Sequence, residues 1–581
     1  RRQRQMCIRD SLGKDAYVPN AHILTVEADM TTDIESEAFS ASVGVGAVGL
    51  VDSRATEHGG AWAYLDEGVH VGNPGDAQEK VGSLDVKSNT QTSLEATSIS
   101  ASGGVVSVNG ARAKGEGYLT SQASVMDGAR IDVDGDVSIQ SDSDNVVDVD
   151  ATGGQGGLLT VGGTYVEGWL TNNTWSTVGS NAVFDVGGTM GLYASNKADV
   201  ETSATQDSGG AVTINQVKAV SNVTSNTKAS LGDGASVDAD TFEMKAEDVD
   251  VYAHAYSYSK TYAAASESDA TSNVNLNATT LVHIGQDASV TAPTAINLVS
   301  LQSSVRSYTK AYTEIGGGVT GTLDSTVDNN LDANSNVETR QGSKLKTRNL
   351  YVHAETPTVE SGYTRIATTK ANTVVYWTLE VVGEVCKWTW KILTFGLWDG
   401  HQVCDPIKKW VAHILYSDTT QTVLGHENRN SSIVFNSDVT IMGGGNPQLY
   451  VDGNGDVRST GDISYRILAD RIVVDEVAPP QEGSVVFDSP TGTISGNASF
   501  TFEKAYESVR ITNDSSKDLE IGDIHTFNSD QTAPDLLIGV AHRDDFHYTR
   551  TTNMDETVVD ITNNKSGTGN GFITCNADHR F

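Results

Sequence analysis

A repeat of about 53 residues limits what this chain can fold into more than any other feature. A pattern of apolar, polar, apolar, polar and small residues recurs six times, beginning at Leu84, Val137, Met190, Phe242, Ile296 and Leu350, with spacings of 53, 53, 52, 54 and 54. It reads Leu84-Asp85-Val86-Lys87-Ser88 in one copy and Phe242-Glu243-Met244-Lys245-Ala246 in another. A second landmark keeps step at Ile131, Val183, Val237, Val290 and Leu345, some of these following turns such as Gly232-Asp233-Gly234. Strict alternation over five residues marks a strand with one buried face. Alternation continues beyond the landmark: from Val251 to Lys260 the odd positions are small and the even ones long or aromatic, and Val305–Tyr312 repeats that order in register. Small residues inward and Tyr, Arg, Lys and His outward call for a narrow interior.

Composition separates two architectures of this period. A propeller with blades of about 50 residues needs large aromatics between its sheets, whereas only 7% of this chain is aromatic. The repeats are built mainly from Ala, Ser, Thr and Val, and Val509-Arg510-Ile511-Thr512-Asn513 returns as Val559-Asp560-Ile561-Thr562-Asn563 without closing a ring. The expectation is an all-β, right-handed parallel β-solenoid over residues 12–372, continued in truncated form over 420–581. With two or three coils of about 20–25 residues per repeat and about 4.8 Å between strands, residues 12–372 would form a rod of roughly 70–80 Å. The opening Arg1-Arg2-Gln3-Arg4-Gln5-Met6-Cys7-Ile8-Arg9-Asp10-Ser11 reads as translated sequencing-adapter sequence, which places the natural N-terminus elsewhere.

Residues 373–419 stand apart. Five of the eight Trp residues lie between Trp377 and Trp410. Glu380, Glu384, Lys387 and Lys391 recur at spacings of 4, 3 and 4, which predicts one polar face of a helix. Asp405 and Pro406 supply start signals for a second helix, whose apolar stripe is Ile407, Trp410, Val411, Ile414 and Leu415. A helical hairpin bracing the solenoid is therefore expected, with membrane contact as its less favoured role. Cys386 and Cys404 flank its turn and could close a disulfide in an oxidising compartment.

Charge excludes one class of partner. With 39 Lys and Arg against 75 Asp and Glu, the chain carries −36, and a nucleic-acid backbone wants a basic face. No HExxH, GxSxG, Walker or paired CxxC pattern occurs, so no catalytic or cofactor-binding residue is predicted. Asp132-Val133-Asp134-Gly135-Asp136 and Asp452-Gly453-Asn454-Gly455-Asp456 resemble calcium loops. Both lack the sixth-position Gly and the closing Glu, so they read as solenoid turns with at most weak Ca²⁺ binding. The outward positions Tyr252, His254, Tyr256, Tyr258, Arg306, Tyr308 and Tyr312 form a candidate contact ladder.

Several segments, in this order, carry a family resemblance: turns like Gly232-Asp233-Gly234-Ala235, then Val374-Val375-Tyr376-Trp377, Ile441-Met442-Gly443-Gly444, Val451-Asp452-Gly453-Asn454-Gly455, and Val509-Arg510-Ile511-Thr512-Asn513 before Asp518-Leu519-Glu520-Ile521. Residues 60–581 resemble the leukotoxin-type filamentous adhesins, which are large bacterial surface proteins similar to filamentous haemagglutinin. The resemblance implies a β-helical shaft, secreted to the outer surface of a Gram-negative-type bacterium. Its implied partners are proteins or glycans of host or neighbouring-cell surfaces. The expected function is that of a non-enzymatic adhesin or shaft segment; the alternative is a polysaccharide lyase or hydrolase built on a β-helix.

Overall fold

The computed structural model describes residues 8–73, 81–315, 324–356 and 425–440 with their side chains, and outside these the backbone of separate strands. Among the described residues the chain is all-β, 85% strand, with no helix. Five long strands carry the fold: Leu24–Leu65, Leu84–Val125, Val137–Val178, Val183–Leu231 and Ser236–Ile284. They pair in parallel and in register, so that Leu24, Leu84, Val137, Met190, Phe242, Ile296 and Leu350 form one column. The six predicted repeat segments thus stack in line, with Leu24 added below them.

Each repeat is one rung, not two or three coils. Every long strand folds back on itself, because its two halves face each other through small side chains. Ser88 Oγ lies 2.8 Å from Ser121 Oγ, Ser98 Oγ donates to the Arg112 carbonyl, and Ser102 Oγ lies 2.5 Å from Ser107 Oγ. Further along the stack, Ser257 meets Ser272 at 2.7 Å and Ser259 meets Ser268 at 2.6 Å. An outgoing and a return arm of about 20 residues each span about 65 Å at 3.3 Å per residue. Short strands such as Arg130–Val133 and Ser289–Ala292 close the base of the rung. From Leu24 to Leu350 the stack rises six steps, about 29 Å at 4.8 Å per step, in place of the 70–80 Å rod expected. Two walls of Ala, Ser, Thr and Val come close enough to leave no room for a third long side.

Glycine acts at two places. At the base corner Asp15, Gly68, Gly128, Asn181, Gly234, Asp287 and Gly342 all adopt positive φ, between 56° and 83°. These are the residue types that enter the left-handed region at least cost. Asp127 and Asp233 reinforce this corner by accepting the Ser180 and Gln286 backbone N–H groups of the next rung at 2.7 and 2.8 Å. At the far tip, where the arms reverse, a Cβ on Gly157 would stand 2.2 Å from the Gly104 carbonyl oxygen, and one on Gly210 would stand 2.7 Å from that of Gly157.

The core is a tapered sandwich. Its base holds Leu65, Leu84, Ile131, Phe184, Met190 and Phe242, while the tip holds Ser102, Ser107, Asn109 and Asn215, all buried. The second landmark slips by one residue at a single rung: Phe184, not Val183, aligns with Ile131 and Val237. Val183 is exposed. Both residues are good strand formers beside a turn, so alternation alone did not separate them.

The expected helical hairpin at 373–419 is replaced by strands. Tyr363–Glu380, Lys387–Ile392 and Lys409–Thr419 pair antiparallel, with Leu379 opposite both Trp388 and Trp410. Lys387-Trp388-Thr389-Trp390-Lys391-Ile392 alternates with a period of two and is rich in β-formers, which outweighs the spaced Glu and Lys residues. Cys386 and Cys404 lie outside the described residues, as does Asp452–Asp456. Parallel pairing resumes with Leu331 opposite Glu427 and Val337 opposite Ile433. At the other end, Cys7–Leu12, which overlaps the last residues of the expected adapter sequence, pairs in parallel with Gly60–Leu65.

Candidate functional site

Because every rung repeats the same register, each outward position of the outgoing arm becomes a column across the blade. One column runs Glu35, Glu95, Asp148, Glu201, His254 and Tyr308. Its neighbours run Asp33, Ser93, Val146, Asp199, Tyr252, Arg306 and Glu37, Thr97, Asp150, Ser203, Tyr256, Lys310. The face is therefore acidic in its first four rungs and aromatic in the next two.

The predicted ladder residues all lie together on that aromatic end, while Val251, Ala253, Ala255, Ser257 and Ser259 between them are buried. The Arg306 guanidinium sits 5.0 Å from the Tyr252 ring centre and holds both Asp250 oxygens at 2.9 and 2.8 Å. His254 meets Tyr308 edge-on at 4.9 Å. Tyr256 and Tyr258 are nearly parallel, 6° apart at 6.5 Å, and Tyr258 stacks on Tyr312 at 5.3 Å. Lys310 lies 5.6 Å from the Tyr256 ring. Such contacts add about 0.5–1.5 kcal/mol per aromatic pair and hold the rings at fixed spacing. Burial pushes the His254 imidazole below its ordinary value and the Tyr258 phenol above its own; Glu314, which accepts the Tyr258 hydroxyl at 3.2 Å, adds to the latter.

Carboxylates crowd the acidic end. Burial, then the charges of Glu201 and Asp250, push Asp199 up to about 7. Asp148, more open to water, is raised to about 6 by desolvation and by Asp150 and Glu201. Glu37 and then Glu95 raise Glu35. This convergence was not found from sequence. Its signal was the repeat itself, since Asp148 and Glu201 are 53 residues apart and adjacent only once one repeat is known to be one rung.

The Asp132–Asp136 turn is occupied structurally. Asp132 is buried, Asp136 Oδ1 accepts the Thr189 N–H of the next rung at 2.7 Å, and Gly135 N–H donates to Gly82. Among the described residues no three His, Cys, Asp or Glu side chains converge as metal ligands would. Comparison with family models, with curated proteins and with solved structures finds no match to this chain.

Proposed function

We propose that this chain is a segment of a right-handed solenoid shaft, secreted to a bacterial cell surface, that binds neutral glycan chains without catalysis. The observation that carries this reading is the ladder of half-buried rings at Tyr256, Tyr258 and Tyr312, with successive ring planes 6° and 20° apart. Rigid rings with a polar edge offer flat apolar faces at little entropic cost, and their hydroxyls can reach sugar hydroxyls. The resemblance to filamentous adhesins points the same way, with glycans of host or neighbouring cells as the partners. A panel of neutral polysaccharides immobilised on a sensor tests it. Binding should be lost in Tyr258→Ala and in Tyr312→Ala; retention by both variants would sink the proposal.

A second reading is favoured by Asp199 and Glu201. A carboxyl raised to about 7 beside a second carboxylate resembles the acid and base pair of a glycoside hydrolase. On that reading Asp199 is the proton donor. Turnover of any polysaccharide that vanishes in Asp199→Asn, with binding intact, would establish the enzyme and displace the shaft.

A further inference from the structure

The return arm bears a groove on the opposite face of the blade. Its floor follows from one outward column, Leu50, Gly110, Gly163, Gln216, Asp269, in which two successive rungs carry glycine. The Leu50 side chain covers Gly110, where a Cβ would stand 2.8 Å from Leu50 Cδ2, while the backbone at Gly163 is left bare, and the groove so formed has a cavity of about 650 Å³. A Cβ at Gly163 would meet nothing closer than the Gln216 carbonyl oxygen at 4.0 Å, so the space is vacant and not a tight backbone contact. The groove crosses five rungs, about 19 Å at 4.8 Å per step.

The adjacent column forms its wall. Tyr165 stands between two cations: the Arg112 guanidinium is 5.3 Å from its ring centre and the Lys218 amine 5.7 Å. Arg112 also reaches Glu167 at 3.7 Å. Lys218 makes no ion pair among the described residues, in a chain with a net charge of −36. A ring-sized apolar floor, an aromatic wall and an unneutralised amine together select a flat, partly apolar unit that carries a negative charge.

We propose that this groove binds a carboxylated polysaccharide. One uronate ring lies over Gly163 and beside the Leu50 side chain, against Tyr165, its carboxylate facing Lys218 and Arg112. Asp52 and Asp269 line the two ends of the groove, so its positive charge is confined to the Arg112–Tyr165–Lys218 stretch, and it is there that an acidic unit is preferred to a neutral one. The site is separate from the aromatic ladder and does not depend on the function proposed for it.

The test uses the full chain and polygalacturonate, with dextran as the neutral competitor. Binding is followed by titration calorimetry, and far-ultraviolet circular dichroism confirms that each variant is folded. Gly163→Leu fills the floor without touching charge, and Lys218→Glu reverses the charge without filling the floor. Each should weaken binding at least tenfold, about 1.4 kcal/mol, while Tyr258→Ala leaves it unchanged. Dextran should not compete. Loss in Lys218→Glu with full retention in Gly163→Leu would reduce the effect to diffuse attraction and overturn the groove. Absence of wild-type binding, or equal competition by dextran, would overturn it as well.

Discussion

Asp248 should make the blade more stable in mild acid than at neutral pH. Its side chain is fully buried, in the polar seam that crosses the core between the arms. Oδ1 accepts from Thr227 at 2.6 Å, Ser225 at 2.8 Å and Asn196 at 3.1 Å. Oδ2 has no hydrogen-bond partner, and neither has Gln302 Oε1; the Gln302 amide nitrogen is engaged by the Ala278 and Asn334 carbonyls. Burial outweighs the opposing pull of Thr227, Asn196, Ser225 and the nearby Gln302 and raises the carboxyl from 3.8 to about 6. Because the folded value lies above the unfolded one, the folded state binds the proton more tightly. The stabilisation is complete below about pH 4 and is lost as pH rises through 6, a change of about 3 kcal/mol. Asp248→Asn keeps the accepting oxygen, cannot ionise and supplies a donor toward Gln302. Urea denaturation of both proteins from pH 4 to pH 8 measures the effect. The difference in stability should swing by about 3 kcal/mol in favour of the variant as pH rises. Asp148 and Asp199, raised in the same direction, act in both proteins and cancel. A difference that stayed constant with pH would refute the reasoning, since an ionised Asp248 tolerated by the fold would have to find compensation that the seam does not contain.

Further outcomes follow from the same geometry. Gly157→Ala should cost about 1–3 kcal/mol by urea denaturation, because its Cβ meets the Gly104 carbonyl oxygen at 2.2 Å, whereas Gly154→Ala, with nothing within 4 Å, should leave the midpoint unchanged. Arg306→Ala should lower stability by less than about 1 kcal/mol, since its pairing with Asp250 is exposed to solvent; a larger loss in thermal denaturation would mean that the ladder also holds the fold together. The Asp199 carboxyl should titrate near 7 by carbon-13 NMR, and Glu201→Gln should lower that midpoint by removing the like charge that raises it most.

The alternation and register of the repeats were legible because a parallel in-register stack keeps each position in one environment from rung to rung. Leu84, Val137, Met190, Phe242, Ile296 and Leu350 share a column and hence a residue class. The inward placement of Val251, Ala253 and Ala255, and the outward placement of Tyr252, His254 and Tyr256, followed from the same periodicity. The number of rungs per repeat was not legible, since alternation holds from Leu84 to Ser102 and again from Ser107 to Ala123, interrupted only over residues 103–106, where the chain reverses. The reversal was marked only by small residues, Gly103-Gly104, Gly156-Gly157 and Gly209-Gly210, at spacings of 53. The insert was misread because Trp, Val and Ile at helical spacing also satisfy a strand, and periodicity in a short apolar run does not decide between the two.

One rung per repeat changes what the surface can do. With several coils per repeat, residues one repeat apart would lie several strands from each other, and the Tyr252–Arg306 and His254–Tyr308 contacts would not form. With one, each outward residue touches its counterparts in the repeats before and after it, so the chemistry of a face is written down a column. The interior accepts little variation, since a Cβ at Gly115 already meets Val147 Cγ1 at 2.5 Å and one at Gly168 meets Val200 Cγ1 at 2.6 Å. Outward positions face no such limit. That freedom lets the outgoing arm pass from Glu35, Glu95, Asp148 and Glu201 to His254 and Tyr308 along one column, while on the return arm Asp52, Arg112, Tyr165 and Lys218 follow one another in the same way. A fixed core with freely varied columns can carry separate recognition sites on its two faces without a change of fold. Substitutions on one face should therefore leave binding on the other intact, provided the tip glycines and the base corner are kept.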